Sequence, residues 1–486
     1  MARAHYSRVR RFRIPDDALV RILEYLDPRT LFLASKLFSR IYALAMFYHS
    51  LRYMFELALS SMRDGPTPIS MAPILGRLHL LTSYRVDWPQ LKWTHEFRFP
   101  APMPAHVGSS GGFIHQIRPH GGYNTLEITE LPSCRTGRTP ALTRRQRFTT
   151  PPFETICIDA AQGLIIGVHI FCEGGVIGVQ MHIRDLWTFA KHPRAAAESY
   201  ELPTSSTVPV SRANLAIVGK KMALSLEFAN GKVNHLLMDW RTLGARWLDD
   251  QDIILIDDEL VLAYPRRAPL LILYNVGNLA HTTIVRQYEL PPGFASVSGT
   301  TRIKLHANLA SRVPVPGALF FPDPANRVLV VESADGSAAQ WLFIPEAYFR
   351  NAQYARRDPP VMPWAVWGQH TLLKVKQQNK TVLGPYAVGA RVVFLDAEAG
   401  HRAKLSVIEF TPFPEASPRM DGSWSIVGPR AGMVPNESTR RVPSGTVEHY
   451  GVDELAVTED NIVLFLDPQP TFQPLNILTF GAPKVK

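Results

Sequence analysis

The chain has 486 residues, 46% of them apolar, and a formal net charge of +10, enough material for two or three units around a large core. Its three cysteines, Cys134, Cys157 and Cys172, are an odd number at no metal spacing, which excludes a disulfide framework and points to the reducing cytosol or nucleus. The most apolar stretch, 41–62, is interrupted by His49, Arg52 and Glu56, which excludes a membrane span; the N-terminus lacks the apolar core of a signal peptide.

Residues 1–13 carry Arg3, Arg8, Arg10, Arg11 and Arg13 with no acid, so half the charge excess lies in a basic arm expected to be disordered. Such an arm can be a nuclear import signal or a nonspecific nucleic-acid contact. With Tyr6 and Phe12 its only aromatics, nucleic acid is not the expected partner. From Ile14 the pattern becomes helical and defines a unit over 14–62. Pro15-Asp16-Asp17 opens a helix, because acidic groups in the first turn complement its free N–H groups. Leu19, Ile22, Leu23 and Leu26 follow on one face. Asp27-Pro28 stops that helix and starts a second, which carries Leu31, Phe32, Ala34, Leu37, Phe38, Ile41 and Leu44. This stripe is too wide for a single packing surface, so a unit this small needs a partner to cover it. Arg63-Asp64-Gly65-Pro66 breaks the pattern. A linker over 63–95 is expected to hold one more helix, from Ala72 to about Tyr84, before Trp88, Leu91 and Trp93 bury against the first strands that follow.

From residue 96 to 486 the texture is all-β. Short β-branched and aromatic runs, such as 155–158, 163–171, 222–228, 260–264, 340–344, 403–410, 461–466 and 475–480, alternate with turn residues, and the chain's 40 prolines suit that texture. So many brief strands require a closed or repetitive architecture. His182-Ile183-Arg184-Asp185-Leu186-Trp187-Thr188 matches Leu236-Leu237-Met238-Asp239-Trp240-Arg241-Thr242; each is an apolar strand ending in Asp-x-x-Thr beside a Trp. Weaker copies lie at 270–277, 405–411 and 475–480. Asp at a strand end can accept from turn amides while the Trp packs between neighbouring units. The expected fold is therefore all-α helices followed by a β-propeller of about seven blades, with a pair of β-sandwiches as the alternative. Residues 100–112 read as an exposed loop or linker, and the Pro/Ser/Arg-rich 411–445 as a long insertion between blades.

No catalytic constellation is present: the chain has no Gly-x-Ser-x-Gly elbow, phosphate loop or His-Glu-x-x-His. Asp257-Asp258-Glu259 reads as a hairpin turn, and His169 and His182 lack a third ligand. No metal, cofactor or enzymatic activity is expected, which leaves binding. Arg144, Arg145, Arg147, Arg266 and Arg267 lie between strands; on one shared face they would favour an acidic or phosphorylated peptide.

The N-terminal unit resembles an F-box of the type found in mushroom-forming fungi. The matching residues are Ile14-Pro15, Leu19, Ile22-Leu23, Tyr25-Leu26, Leu31 and Tyr42-Ala43-Leu44, with the continuation Met46 to Pro66. Phe38 stands where that pattern usually has Ser, and Ile41 where it has Trp or Phe. The strand-end repeat resembles the Trp-Asp ending of a WD-type blade, without its Gly-His signature. These resemblances imply a substrate receptor of an SCF-type cullin–RING ubiquitin ligase. Pro15, Leu19, Ile22, Leu23, Leu26 and Leu31 would dock the Skp adaptor, and through it a cullin, while the β domain holds a target protein. The alternative is a non-catalytic, nuclear propeller scaffold whose helices pack internally and whose basic arm contacts nucleic acid. The receptor reading requires the Leu19, Ile22, Leu23 and Leu26 face to meet solvent; the scaffold reading requires that face against the β domain.

Overall fold

The computed structural model describes residues 14–481 apart from 103–105, 121–122, 139–144, 205, 250, 267, 295–301, 335–337, 353–360, 378–380, 399–401, 412–423, 427–432, 443–450 and 470–471. The expected basic arm falls outside the described residues. The helical unit begins with α1 (Asp16–Leu23), which has Asp16 and Asp17 in its first turn. α2 (Pro28–Leu37) starts under an Asp27 cap whose carboxylate accepts from the Thr30 amide at 3.1 Å. The single second helix expected from sequence is in fact two. Phe38 is extended (φ −128°, ψ 109°), and α3 (Ser39–Phe47) sets off in a new direction. That break lets Leu31 and Phe32 of α2 and Leu44 and Ala45 of α3 share one core with Leu51 and Phe55 of α4 (His49–Leu59). α5 (Ile74–Asp87) then packs against α4.

The rest of the chain forms a seven-bladed β-propeller. Blades 1 to 7 have inner strands at 106–110, 155–159, 210–218, 251–255, 302–306, 381–388 and 452–457, each followed outward by antiparallel strands, with the short Val361–Met362 added in parallel at the edge of blade 4. The weak sequence copies are all third strands: 176–185, 233–239, 270–275, 402–411 and 472–479. Asp185 caps its turn by accepting from the Trp187 and Thr188 amides at 3.0 and 2.8 Å. Asn275 does the same for Gly277 at 3.0 Å. Trp240 is fully buried between blades 2 and 3, whereas its counterpart Trp187 is 41% exposed and meets Phe113 of blade 1 edge-on at 6.0 Å, so both face a neighbouring blade but only Trp240 is enclosed.

Two regions read as loops, 100–112 and 411–445, carry strands; in the first, His106–Ser110 is the inner strand of blade 1 and the end of the strand 95–102 belongs to blade 7. Residues 95–102, Pro100 and Pro102 included, form the outermost strand of blade 7, in register with 472–479 (His95 opposite Thr479, Pro102 opposite Phe472). Proline lacks an amide donor, so it suits an outermost strand, whose second edge needs no partner. Within 411–445, Val434–Arg441 is the outer strand of blade 6, and Trp424–Ile426 adds a strand to blade 5. The polar, proline-containing sequence of Val434–Arg441 and the brevity of Trp424–Ile426 hide strands whose pairing partners are remote in the chain.

Strand alternation places the loops after each inner and each third strand on one face of the propeller, here the lower face, and the helical unit sits there. Met62–Asp64 pairs with Phe320–Pro322 of blade 5. Tyr53 and Leu57 of α4 and Leu78, Leu81, Tyr84 and Trp88 join blade 6 and 7 residues in one core. Trp88 stacks on Phe480, the residue ending the last strand, with ring centroids 4.0 Å apart, rather than on the first strands as expected. Arg391 lies over both Tyr84 and Trp88 at 4.9 and 5.3 Å. Trp88→Ala should cost about 3–5 kcal/mol by emptying this junction. A urea midpoint unchanged from the parent chain would show that the helical unit does not share the propeller's core.

Candidate functional site

Two surfaces present unsatisfied chemistry: an apolar face on the helical unit and the channel through the propeller. The six expected docking residues divide. Leu23 and Leu31 are 3% and 0% exposed, inside the unit's own core; Leu19 and Leu26 are half-buried; Pro15 and Ile22 are exposed. The Leu19–Leu26 face therefore meets neither of the two requirements as a whole: it is not packed on the propeller, and only part of it meets solvent. Sequence periodicity identified the apolar stripe but not which side faces inward, because α1 to α3 enclose their own core. The exposed large apolar side chains of the unit are Ile14, Ile22, Tyr25, Leu33, Leu37, Phe38, Tyr42 and Phe47, with Tyr25, Leu37 and Phe47 more than three-quarters exposed. Leu37, Phe38 and Phe47 lie at helix ends, where periodicity gives no warning of exposure. Arg40 crosses to α1, donating to Asp16 at 3.0 Å and so fixing α3 against the start of the unit.

The central channel has a volume of about 2320 Å³ and is walled by the inner strands of the blades. The loop 307–319 of blade 5 crosses its lower end and ties several blades together. Asn308 accepts from the Gly389 amide of blade 6 at 2.9 Å, and the Ser311 amide donates to Glu459 of blade 7 at 2.9 Å. Arg312 pairs with Glu346 and reaches Asp257 of blade 4 at 3.9 Å, and the Leu319 amide donates to the Arg135 carbonyl of blade 1 at 2.7 Å. Arg135 itself is buried and forks onto both Asp460 oxygens at 3.0 and 3.1 Å, with Glu459 beside it. These two carboxylates raise its pKa against the opposing effect of burial. The neighbouring Arg327, buried against Glu346 at 3.1 Å, is pushed down to about 10, burial outweighing the Glu346 carboxylate.

Toward the upper end, His235 is buried and hydrogen-bonded through Nδ1 to Ser225 Oγ at 2.7 Å; its Nε2 lies 3.8 Å from Asp252. Burial, helped by Arg266, lowers its pKa to about 4, so the ring is neutral at pH 7. Asp252 accepts from the Leu305 amide at 2.9 Å, and burial raises its pKa. His306 sits 2.9 Å from Glu332. Arg212, Arg266 and Lys304 from blades 3, 4 and 5, and Asp453 and Glu454 from blade 7, also line the channel, and all five are exposed.

Of the five arginines expected to share a face, Arg144 and Arg267 lie outside the described residues, as does the side chain of Arg145. Arg147 is on the outermost strand of blade 1, 3.6 Å from Glu127, whereas Arg266 lines the channel and donates to the Gly231 carbonyl at 3.3 Å. The two described side chains do not form one cluster: Arg147 stands on the outermost strand of blade 1 and Arg266 at the channel beside blade 4. Arg212 and Lys304 escaped sequence reading because single cations inside strands carry no local signal. Asp257 caps its own turn, accepting from the Glu259 and Leu260 amides at 2.9 and 2.8 Å. Among the described residues no group of three His, Cys, Asp or Glu side chains could hold a metal ion.

No family model and no curated protein matches the chain. Among solved structures it is similar to the WD40 domain of SCAP from fission yeast, at 7% identity and a TM-score of 0.37, over 80% of this chain and 96% of that one. It is also similar to the β-propeller domain of the Trilobed protease from Pyrococcus furiosus (9% identity, TM-score 0.35, 79% and 99% covered). A third is Sqt1 from Chaetomium thermophilum (13% identity, TM-score 0.34, 76% and 80% covered). The blade count rests on the strand order itself.

The buried imidazole makes stability pH-dependent with a defined sign. The folded pKa of His235 is lowered to about 4 from an ordinary 6.5, so between these values the unfolded chain takes up a proton that the folded chain refuses. His182, lowered to about 4 by burial and then by Arg184 and His169, acts in the same direction. Stability should therefore fall as pH drops from 6.5 toward 4. His235→Gln should flatten that slope by up to one proton, about 1.4 kcal/mol per pH unit. Parallel slopes for parent and variant in urea titrations across this window would refute the assignment.

Proposed function

We propose that this chain is a non-catalytic substrate receptor of an SCF-type cullin–RING ubiquitin ligase, acting in the cytosol or nucleus. Its helical unit would dock the Skp adaptor while its propeller holds a target protein. The observation that carries the reading is the apolar side of α1 to α3. One side of the helical unit is consumed by the propeller, yet Ile22, Tyr25, Leu33, Leu37, Phe38 and Phe47 stay uncovered. Apolar side chains at that density are costly to leave in water and suit a permanent protein partner. The unit's attachment through a shared core would hold adaptor and target in fixed relative positions, which favours transfer by proximity.

The shared core equally supports a second reading, a propeller scaffold in which the helices brace the lower face. Co-expression with the Skp adaptor separates the two. Ile22→Asp with Leu37→Asp places two carboxylates on the exposed face without disturbing the unit's core, so the variant should fold normally yet lose copurification. Leu23→Asp is the wrong probe, since Leu23 is buried and its substitution would unfold the unit. Copurification of the intact chain, abolished in the double variant with an unchanged thermal transition, is the expected result. Failure of the intact chain to associate would leave the scaffold.

A further inference from the structure

The upper mouth of the channel holds opposed charges that the fold leaves unused. Arg212 and Lys304 on one wall, and Asp453 and Glu454 on the other, make no hydrogen bond or ion pair with any described residue. Arg266, beside Arg212, donates only to a backbone carbonyl. Arg212 is near enough to Glu454 and Tyr386 to influence both across the mouth. The surrounding walls raise the Glu454 pKa and Arg212 lowers it; Tyr386 is pushed up to about 12 by burial and by Glu454, against Arg212. The two walls therefore sense each other without closing into a salt bridge. Of the carboxylates beside those cations, Glu332, opposite Lys304 in the ladder, is engaged by His306 at 2.9 Å and Trp341 at 3.2 Å, and Asp252 by the Leu305 amide, while Glu227, opposite Arg212, is exposed.

The shape of the mouth narrows the ligand. A volume of about 2320 Å³ exceeds the roughly 300–1,000 Å³ of small-molecule sites. Among the described residues each inner strand is paired in a ladder on one edge only, apart from the Asn308–Ala387 bridge; the Ile158 and Leu305 amides are taken by Ser110 and Asp252, and the other backbone groups of that edge face the channel. Extended peptides use such edges for backbone hydrogen bonds, while flanking side chains provide specificity. Opposite charges on facing walls select against a ligand of single sign, because either sign meets repulsion on one side. A low-dielectric channel focuses both fields.

We propose that the upper mouth of the channel binds an extended peptide segment bearing both an acidic and a basic side chain. The acidic group would lie against Arg212, Arg266 and Lys304, and the basic group against Asp453 and Glu454. This rests on the reading that the propeller is the target-capturing part of the chain.

The test is selection of short random peptides displayed on phage against the full chain, followed by fluorescence anisotropy with a synthetic copy of the most enriched peptide. Enriched peptides should carry both signs. Arg212→Ala with Lys304→Ala should weaken binding roughly tenfold or more, as should Asp453→Asn with Glu454→Gln. Neutralising the peptide's basic residue should erase the effect of the second variant and leave that of the first. Enrichment of peptides of one sign only, binding indifferent to both variants, or no enrichment at all would overturn the proposal. Adaptor copurification uses the opposite end of the molecule, so it should be identical in all channel variants and reports separately on the receptor reading.

Discussion

Closure of the ring is the constraint from which the rest follows. The strand 95–102, laid down before the first blade, supplies the outermost strand of the last, hydrogen-bonded to 472–479. Without it blade 7 would have three strands and the first and last blades would be held by side-chain packing alone. With it, the ring cannot open unless a full ladder of backbone hydrogen bonds breaks, and an apolar sheet edge that would invite aggregation is covered. The same strand follows α5 by only a few residues, so closing the ring also fixes the helical unit on the lower face.

The lower face is built to be rigid and the upper to stay open. Below, the loop 307–319 bonds to blades 1, 4, 6 and 7, the buried Arg135–Asp460 pair joins blades 1 and 7, and Arg327–Glu346 clamps the base of a blade 5 hairpin. Buried pairs add little net stability once desolvation is counted, but losing one partner strands the other, so they penalise misassembly strongly. Above, the charged side chains at the mouth are exposed and unpaired, and no comparable loop crosses it among the described residues. The channel is thus braced at one end and charged and accessible at the other.

The helical unit has a corresponding division. Its α4 and α5 side chains are shared with the propeller, its internal core is filled by Leu23, Leu31, Phe32, Leu44 and Leu51, and a third set is left in water. Only the first two sets are explained by folding. The third is the part of the unit whose chemistry points outside the chain, at the end of the molecule away from the channel's upper mouth.

The sequence by itself determined the helical start, with Asp16, Asp17, Asp27 and Pro28 marking its boundaries through local capping chemistry, and it determined an all-β remainder. It revealed third strands best, because these lie inside each blade, read as continuous apolar runs and end in an Asp or Asn that caps its own turn. Tertiary structure decided what depended on distant partners. The outer strands 95–102 and 434–441 contain proline and lack a continuous apolar run, and they become strands only through a neighbour supplied by pairing. The sorting of Leu23 inward and Ile22 outward depends on how three helices enclose one core, and the Phe38 break appears only once α2 and α3 both pack on α4. The channel mouth joins residues as far apart in sequence as Arg212 and Glu454, a proximity that no local pattern encodes because ring closure alone brings blades 3 and 7 to face each other.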